Sequence, residues 1–295
     1  MKRVLLFGGS GFLGSKVVTE LSRPEHDGLV ALVQAGRRSA LRHDLVNDDI
    51  GKLMTLLREV EPEVVVNCTG LLSGSAAELV SANALTTAHL LDAISAATPD
   101  ARLVVLGSAG EYGVVPVGTP VAEDGPTVPV ATYGITKLAS TNMVVATDVD
   151  AVSLRVFNPI GPGIGADTVL GRAAASIRTA LHHGENKIRL GPLDSYRDFV
   201  DVRDVAGAIA AVVLADEVPY RVMNVGSGVP VLIRDAVKLL AEVAGYTGEI
   251  SEADPPVHRS GAVTWIAADI TRITTALGWR PEHDLRSSIH ALVSG

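Results

Sequence analysis

The stretch Val4-Leu5-Leu6-Phe7-Gly8-Gly9-Ser10-Gly11-Phe12-Leu13-Gly14 decides how the whole chain is read. Val4–Phe7 is an apolar run of strand length that breaks straight into glycines, and a helical pattern then runs from Phe12 to Leu21. In a strand–turn–helix of this kind each glycine has a use. Gly8 makes the tight turn, Gly11 lets an anion approach the backbone, and Gly14 lets the helix pack close to the strand. The helix start presents free N–H groups and a positive dipole end, which together hold a phosphate. Gly8, Ser10, Gly11, Phe12, Leu13 and Gly14 are therefore the expected cradle for a dinucleotide pyrophosphate. The spacing, Gly-x-x-Gly-x-x-Gly, differs from the Gly-x-Gly-x-x-Gly of many such sites, and taken alone a glycine triplet also fits an ordinary strand–helix turn.

Outward from this loop, short Val/Leu-rich runs alternate with helical patterns. Strands are expected at Val4–Phe7, Leu29–Val33, Val64–Asn67, Leu103–Leu106 and Val152–Val156, and helices at Phe12–Leu21, Ile50–Val60, Ala82–Ala97 and Tyr133–Ala146. Near-continuous apolar strands separated by helices make a parallel sheet covered on both faces. After Phe157 the pattern changes. Pro159 to Gly165 reads as a loop, and helices are expected at Val169–His183, Asp204–Ala215, Arg234–Ala244 and Ile270–Leu277, the last closed by Gly278. The fold class is α/β: a Rossmann-type doubly wound parallel sheet over residues 1–158, with a small interleaved substrate-binding lobe in 159–295. Stretches near 199–226 and 262–268 are expected to return to the sheet.

The 295 residues suffice for such a sheet plus a small lobe. A content of 47% hydrophobic and 20% charged residues is that of a globular chain with a sizeable core. The formal net charge of −8 repels a phosphate backbone and argues against a nucleic-acid partner. No run approaches a membrane span, and the apolar run after Met1-Lys2-Arg3 is too short for a signal segment. The single Cys68 allows no intrachain disulfide and fits a reducing cytoplasm. Behind Val64-Val65-Val66 it reads as a small buried residue, not a catalytic thiol. The scattered histidines suggest no metal site, and His182-His183 are expected on different faces of a surface helix. Leu106-Gly107-Ser108-Ala109-Gly110 lacks the first glycine of a hydrolase nucleophile elbow.

Two further patterns carry chemistry. The second strand runs out into Gln34-Ala35-Gly36-Arg37-Arg38, with no acidic residue between Asp27 and Asp44. The carboxylate that accepts the adenine-ribose hydroxyls in an NAD site is missing. Two guanidinium groups stand there instead, and they pair well with a 2′-phosphate. NADP(H) is the expected cofactor ahead of NAD(H); the alternative is that both arginines are a solvated loop face. Tyr133 and Lys137, in Tyr133-Gly134-Ile135-Thr136-Lys137, share one helix face. A free phenol, with a pKa of about 10, donates poorly at neutral pH, and a neighbouring ammonium favours its phenolate. Ser108, just past the fourth strand, is placed to hold a substrate carbonyl.

With these motifs the chain resembles an extended short-chain dehydrogenase/reductase of the NAD-dependent epimerase/dehydratase branch, over nearly its whole length. The marks are the glycine loop, Asp44-Leu45, Asn83-Ala84-Leu85-Thr86-Thr87, Ser108 with Tyr112-Gly113, and the Tyr133–Lys137 pair. They continue in Leu154-Arg155-Val156-Phe157-Asn158-Pro159-Ile160-Gly161-Pro162, Arg197-Asp198-Phe199-Val200-Asp201-Val202-Arg203-Asp204-Val205, Asn224-Val225-Gly226-Ser227-Gly228 and Leu277-Gly278-Trp279-Arg280-Pro281. The resemblance implies that Tyr133 is the general acid/base, that Lys137 lowers its pKa and holds the nicotinamide ribose, and that Ser108 binds the reacting oxygen. It places Gly36, Asp44, Leu45, Thr69, Gly70, Asn83, Tyr133 and Lys137 on the cofactor. It places Asn158, Arg197 and Arg259 on the substrate, with Arg197 toward a sugar-nucleotide diphosphate. It also implies a homodimer through a four-helix bundle, in keeping with apolar residues on more than one face of Ala82–Ala97 and Tyr133–Ala146.

Dehydration, epimerisation and ketone reduction share this scaffold. Dehydratases need an acid and a base directly after the serine-like position, and Ala109 and Gly110 move no proton. Glu111 comes one place too late, where the family often has an apolar residue, and reads as a solvated loop carboxylate. NADP favours net reduction, and Gly191–Phe199 resembles reductases of 4-keto-6-deoxy nucleotide sugars. The expectation is an NADPH-dependent ketoreductase of such a nucleotide sugar, with Tyr133 as acid. Three alternatives stay open: a nucleotide-sugar epimerase with tightly bound NAD, a reductase of a non-sugar, polyketide-type ketone, and a non-catalytic NADP sensor. The short chain and its 4% aromatic content suggest the second; retention of both Tyr133 and Lys137 disfavours the third.

Overall fold

The computed structural model describes residues 1–252 and 263–295. In chain order its strands are β1 (Lys2–Phe7), β2 (Val30–Ala35), β3 (Val64–Asn67), β4 (Arg102–Ser108), β5 (Ala151–Val156), β6 (Asn158–Ile160), β7 (Lys187–Leu190), β8 (Tyr196–Asp201), β9 (Val222–Val225), β10 (Pro230–Leu232) and β11 (Glu249–Glu252). Its helices are α1 (Phe12–Leu21), α2 (Ile50–Val60), α3 (Ala76–Leu79), α4 (Thr86–Ala97), α5 (Thr132–Ala146), α6 (Val169–His183), α7 (Val202–Leu214), α8 (Ile233–Ala244), α9 (Thr271–Leu277) and α10 (Leu285–Ser294).

Six strands form one all-parallel sheet in the order β2-β1-β3-β4-β5-β9. The alternation of side chains along each strand supplies both faces. Val4, Leu6, Val66 and Leu154 pack toward α1 and α7, while Leu5, Phe7, Val65 and Leu103 pack toward α2, α4 and α5. Leu5, Leu6, Leu103 and Leu154 are fully buried, each stabilising the fold by roughly 1.5–3 kcal/mol. The connection from β1 goes to β2 on one side, and the chain then crosses back to β3 on the other. That reversal opens a crevice at the carboxyl ends of the strands, where doubly wound sheets bind ligands.

Helix ends follow local chemistry. Asp49 caps α2 by accepting the Lys52 N–H at 3.0 Å, and Thr168 caps α6 by accepting the Gly171 N–H at 3.1 Å. The helix expected from Ala82 begins earlier. Ser75 and Glu78 cap α3 reciprocally, and a π-helical turn over Val80–Leu85 carries the chain into α4. Apolar periodicity alone passed over this Ser-x-x-Glu start.

The second half departs more from expectation. Asn158–Ile160, whose Pro159 and Ile160 were expected in a loop, form β6, which pairs in parallel with β8; β8 is antiparallel to β10. β7 and β11 form a separate parallel pair. α6, α8 and α10 enclose their own core around Leu170, Ile177, Val237, Leu240 and Ile289. Ile266 and Ala268 pack with Tyr112 and Phe157 below the end of β4. Arg259 lies outside the described residues. No helix among the described residues is long and apolar enough to cross a membrane.

Candidate active site

The loop after β1 is shaped by close backbone approach. Gly8 has a φ of +83°, and a Cβ there would lie 2.9 Å from the Cys68 carbonyl carbon, wedging apart the ends of β1 and β3. A Cβ on Gly14 would overlap the Gly8 carbonyl oxygen. The Gly11 N–H donates to that same oxygen at 2.9 Å, and Gly11 begins α1 with no side-chain cap on the helix N–H groups. A diphosphate fits this cradle, because the donors lack a side-chain acceptor and no Cβ fills the approach. Phe12 turns its ring toward Gly163, and Leu13 packs into the core beneath α1.

Outside the carboxyl ends of β1, β2 and β3 lies a cavity of about 640 Å³. Its walls include Gly8 and Ser10, Gly36, Arg37 and Arg38, Asp44 and Leu45, and Thr69 and Gly70. Arg37 and Arg38 are exposed, and neither forms a salt bridge with any described residue. Burial opposes ionisation of Asp44, but hydrogen bonds from Asn47 and Val46 and the Arg37 charge hold its carboxyl below the usual range. Ser39 and His43 also line the cavity and were not expected; Ser39 directly follows the two arginines. Asn83 acts as a clamp. It bonds both backbone groups of Leu71 at 2.9 Å and donates to the Thr136 hydroxyl at 3.1 Å, tying the Gly70 turn to α5.

Ser108 ends β4, Tyr133 lies in the first turn of α5 and Lys137 follows one turn later. The Lys137 Nζ is 5.9 Å from the Tyr133 ring centroid and donates to the Leu106 carbonyl at 3.0 Å. Burial pushes the Tyr133 phenol up to about 12; the Ser108 hydroxyl works against that rise and the Glu111 charge adds to it. Burial draws Lys137 down to about 8, against the pull of Glu111. The rise of the phenol comes chiefly from burial, with the Lys137 ammonium turned to the Leu106 carbonyl. With its pKa pushed up by burial, the phenol stays protonated through the neutral range, while burial weakens the hold of Lys137 on its proton.

Glu111 overturns its reading as a solvated carboxylate. It has no exposed surface. Its Oε1 accepts the Ser108 N–H at 2.8 Å and the Thr141 hydroxyl at 3.1 Å, and its Oε2 accepts from the Arg155 Nε at 2.7 Å. The signal was in the sequence: Ser108-x-x-Glu111 is a capping box around a short 3₁₀ turn. Cys68 is half-buried, and burial pushes its thiol up to about 12, leaving no thiolate for catalysis.

On the substrate side, the Asn158 Nδ2 donates to the Asp198 carbonyl at 2.9 Å, joining β6 to β8. Arg197 is half-buried, donates to the Tyr196 carbonyl at 2.8 Å and has no carboxylate partner among the described residues. Burial lowers its pKa. A half-buried cation without a carboxylate partner gains most from an anion brought to it. His182 and His183 are both exposed at the end of α6, as expected, and leave the helix in different directions without separating their rings. Their exposed rings meet edge to face with centroids 4.9 Å apart, because imidazoles about 100° apart on a last helical turn still reach each other. Glu20, Glu25 and His26 come within metal-ligating distance of one another, but Arg23 already pairs with Glu20 at 3.1 Å.

A model of the NAD dependent epimerase/dehydratase family matches residues 4–226. The chain is 35% identical to the dTDP-6-deoxy-L-talose 4-dehydrogenase (NAD(P)(+)) of Kitasatospora kifunensis, across 98% of this chain and 94% of that protein. It is 28% identical to the GDP-6-deoxy-D-mannose reductase of Pseudomonas aeruginosa, across 99% of this chain and 96% of that protein. Among solved structures it superposes on RMD from Pseudomonas aeruginosa complexed with NADPH, with a TM-score of 0.84 and 26% identity, covering 100% of this chain and 98% of that one. MoeE5 in complex with UDP-glucuronic acid and NAD matches with a TM-score of 0.82 and 26% identity, over 99% and 98% of the two chains. With sheet order, glycine cradle and family match in agreement along the same residues, the chain belongs to the NAD-dependent epimerase/dehydratase family and is an NAD(P)-dependent enzyme of the extended short-chain dehydrogenase/reductase type.

Proposed function

We propose that this enzyme is an NADPH-dependent ketoreductase that interconverts a carbonyl and an alcohol on a 6-deoxy nucleotide sugar, at the 4-position. One observation carries the reading. Ser108 lies against Tyr133, and the Lys137 Nζ lies 3.2 Å from a Cβ placed on Gly70 of the cavity wall, while Ala109 and Gly110, where elimination needs an acid and a base, hold no titratable group. The names of two relatives, a dehydrogenase and a reductase of 6-deoxy nucleotide sugars, support the substrate class. UDP-glucose 4-epimerases are also relatives. The unpaired Arg37 and Arg38 favour net reduction, because a 2′-phosphate cofactor suits exchange with a reduced pool better than a closed internal cycle.

In this reading the Ser108 hydroxyl holds the substrate carbonyl oxygen and Tyr133 gives that oxygen its proton. NADPH, when bound, supplies the hydride. Lys137 carries an ammonium below pH about 8 and stabilises the phenolate that remains. Arg197 offers its guanidinium to the diphosphate. A second copy of the chain would cover the exposed apolar Val80, Leu85, Ile135 and Val145, on the π-helical turn and α5.

Loss of NADPH absorbance on adding a dTDP- or GDP-linked 4-keto-6-deoxyhexose tests the reaction. Isomer formation without net NADPH oxidation would instead support an epimerase. Turnover is expected to fall as pH rises through about 8, where Lys137 loses its proton. Rates unchanged to pH 10 would remove Lys137 from the acid step. Arg37→Ala is expected to weaken NADPH by about tenfold or more while leaving NADH within about twofold, the scale of one charge-assisted phosphate contact. Calorimetric titration with both cofactors reads this, and equal losses would exclude Arg37 as the 2′-phosphate contact.

A further inference from the structure

The most buried carboxylate near the trio is one that the proposed reaction leaves without a role. Glu111 sits behind Ser108, and its place is built into the strand. A Cβ on Gly107 would lie 2.6 Å from Glu111 Oε1, so only glycine there admits the carboxylate. Three elements then converge on it. The end of β4 donates the Ser108 N–H, α5 donates the Thr141 hydroxyl and β5 supplies the Arg155 Nε. Thr141 lies four residues beyond Lys137 and eight beyond Tyr133, on the same face of α5. The Thr141 hydroxyl is also 2.8 Å from the Ser153 hydroxyl of β5.

Arg155 is anchored in turn. Its Nη1 donates to the Tyr112 hydroxyl and to the Glu123 carbonyl, both at 3.0 Å, and its guanidinium carbon lies 4.7 Å from the Tyr112 ring centroid. The pair is thus buried and tied on several sides.

We infer that Glu111, held by Arg155, is the positioning residue of the catalytic trio: it fixes the backbone of Ser108 against the helix face that carries Tyr133 and Lys137. The inference rests on the proposed ketoreductase reading for its rate consequences only. Among the described residues, Glu111 from the turn after β4 faces both Tyr133 and Lys137, Cys68 from the end of β3 faces Lys137, and Arg155 of β5 stands behind Glu111. The Glu111 charge raises both Tyr133 and Lys137. Its removal therefore lowers both, and the high-pH limb of turnover moves to lower pH.

Glu111→Gln tests this. It is expected to lower kcat by about 10²-fold, the cost of a small misplacement at a reacting centre, with NADPH affinity unchanged. It is also expected to move the high-pH limb down by about one pH unit. Tyrosinate absorbance gives a substrate-free readout: the step lost on Tyr133→Phe should appear at lower pH in Glu111→Gln than in the unsubstituted enzyme. A uniform fall in kcat with neither the limb nor the tyrosinate step displaced would overturn the inference. If the unsubstituted enzyme reduces no 4-keto sugar, the ketoreductase reading fails alone, and the tyrosinate step still decides on Glu111. If Glu111→Gln does not fold, Thr141→Val cuts one tie and leaves the ion pair. It is expected to lower kcat several-fold at constant NADPH affinity, and an unchanged kcat would count against the positioning role.

Discussion

Tyr133→Phe is expected to abolish measurable ketone reduction while NADPH binding stays within about twofold. Removing a positioned acid costs roughly 10²–10⁴-fold, and the upper part of that range applies here because no neighbour replaces the proton. Lys137 is turned toward the Leu106 carbonyl, and the Ser108 hydroxyl is committed to holding the substrate oxygen. Cofactor affinity should survive, since the cradle and the arginine-lined cavity are built on β1, β2 and β3. The phenyl ring also keeps the packing of the tyrosine, whose Cδ1 lies 3.7 Å from a Cβ placed on Gly110. Stopped-flow NADPH oxidation with a 4-keto sugar and a parallel calorimetric titration separate the two effects. Retention of even a tenth of the turnover would transfer the acid role to another group. Equal loss of binding and turnover would mean that the ring supports the cofactor.

Where sequence and structure agree, local chemistry is sufficient. Phe12–Leu21, Ile50–Val60, Val64–Asn67 and Val169–His183 have the bounds their periodicity implies, because each buries one stripe or an entire short run. The elements that local pattern does not delimit need partners far along the chain. β9 is four residues long and becomes a strand by pairing with β5 some 70 residues earlier. β8 pairs with β6 and β10, apart from the six-stranded sheet, and its Asp198 and Asp201 are buried. Asp198 is matched by the N–H groups of Ser227, Gly228 and Ala268 at 2.7–3.0 Å, donors that no local pattern announces. The site divides in the same way. Its glycines and arginines were legible because backbone conformation and charge are properties of the residue and its neighbours. The surroundings of Glu111 were not, because Arg155 and Thr141 reach it from other elements.

Arg155→Met should destabilise the protein by about 3–5 kcal/mol, the usual effect of stripping one partner from a buried ion pair. That is a large share of the roughly 5–15 kcal/mol that holds a domain folded. Arg155 is 4% exposed and Glu111 0%, so little water can reach the carboxylate that is left behind. Methionine fills much of the arginine stem's volume, and the Tyr112 hydroxyl keeps its bond to the Asn224 Oδ1 at 2.6 Å. The loss is therefore assigned chiefly to the uncompensated charge. Glu111→Leu with Arg155→Met removes both charges and should recover most of the stability, since an apolar pair of similar volume is often as stable as the ion pair it replaces. Urea unfolding of the single and double variants, at constant m, reads both numbers. A single-variant loss below about 1 kcal/mol would show that water or another cation reaches Glu111. A folded double variant that still reduced the substrate slowly would separate two roles: the ion pair would be dispensable for stability as a unit, and its carboxylate needed for the geometry of Ser108.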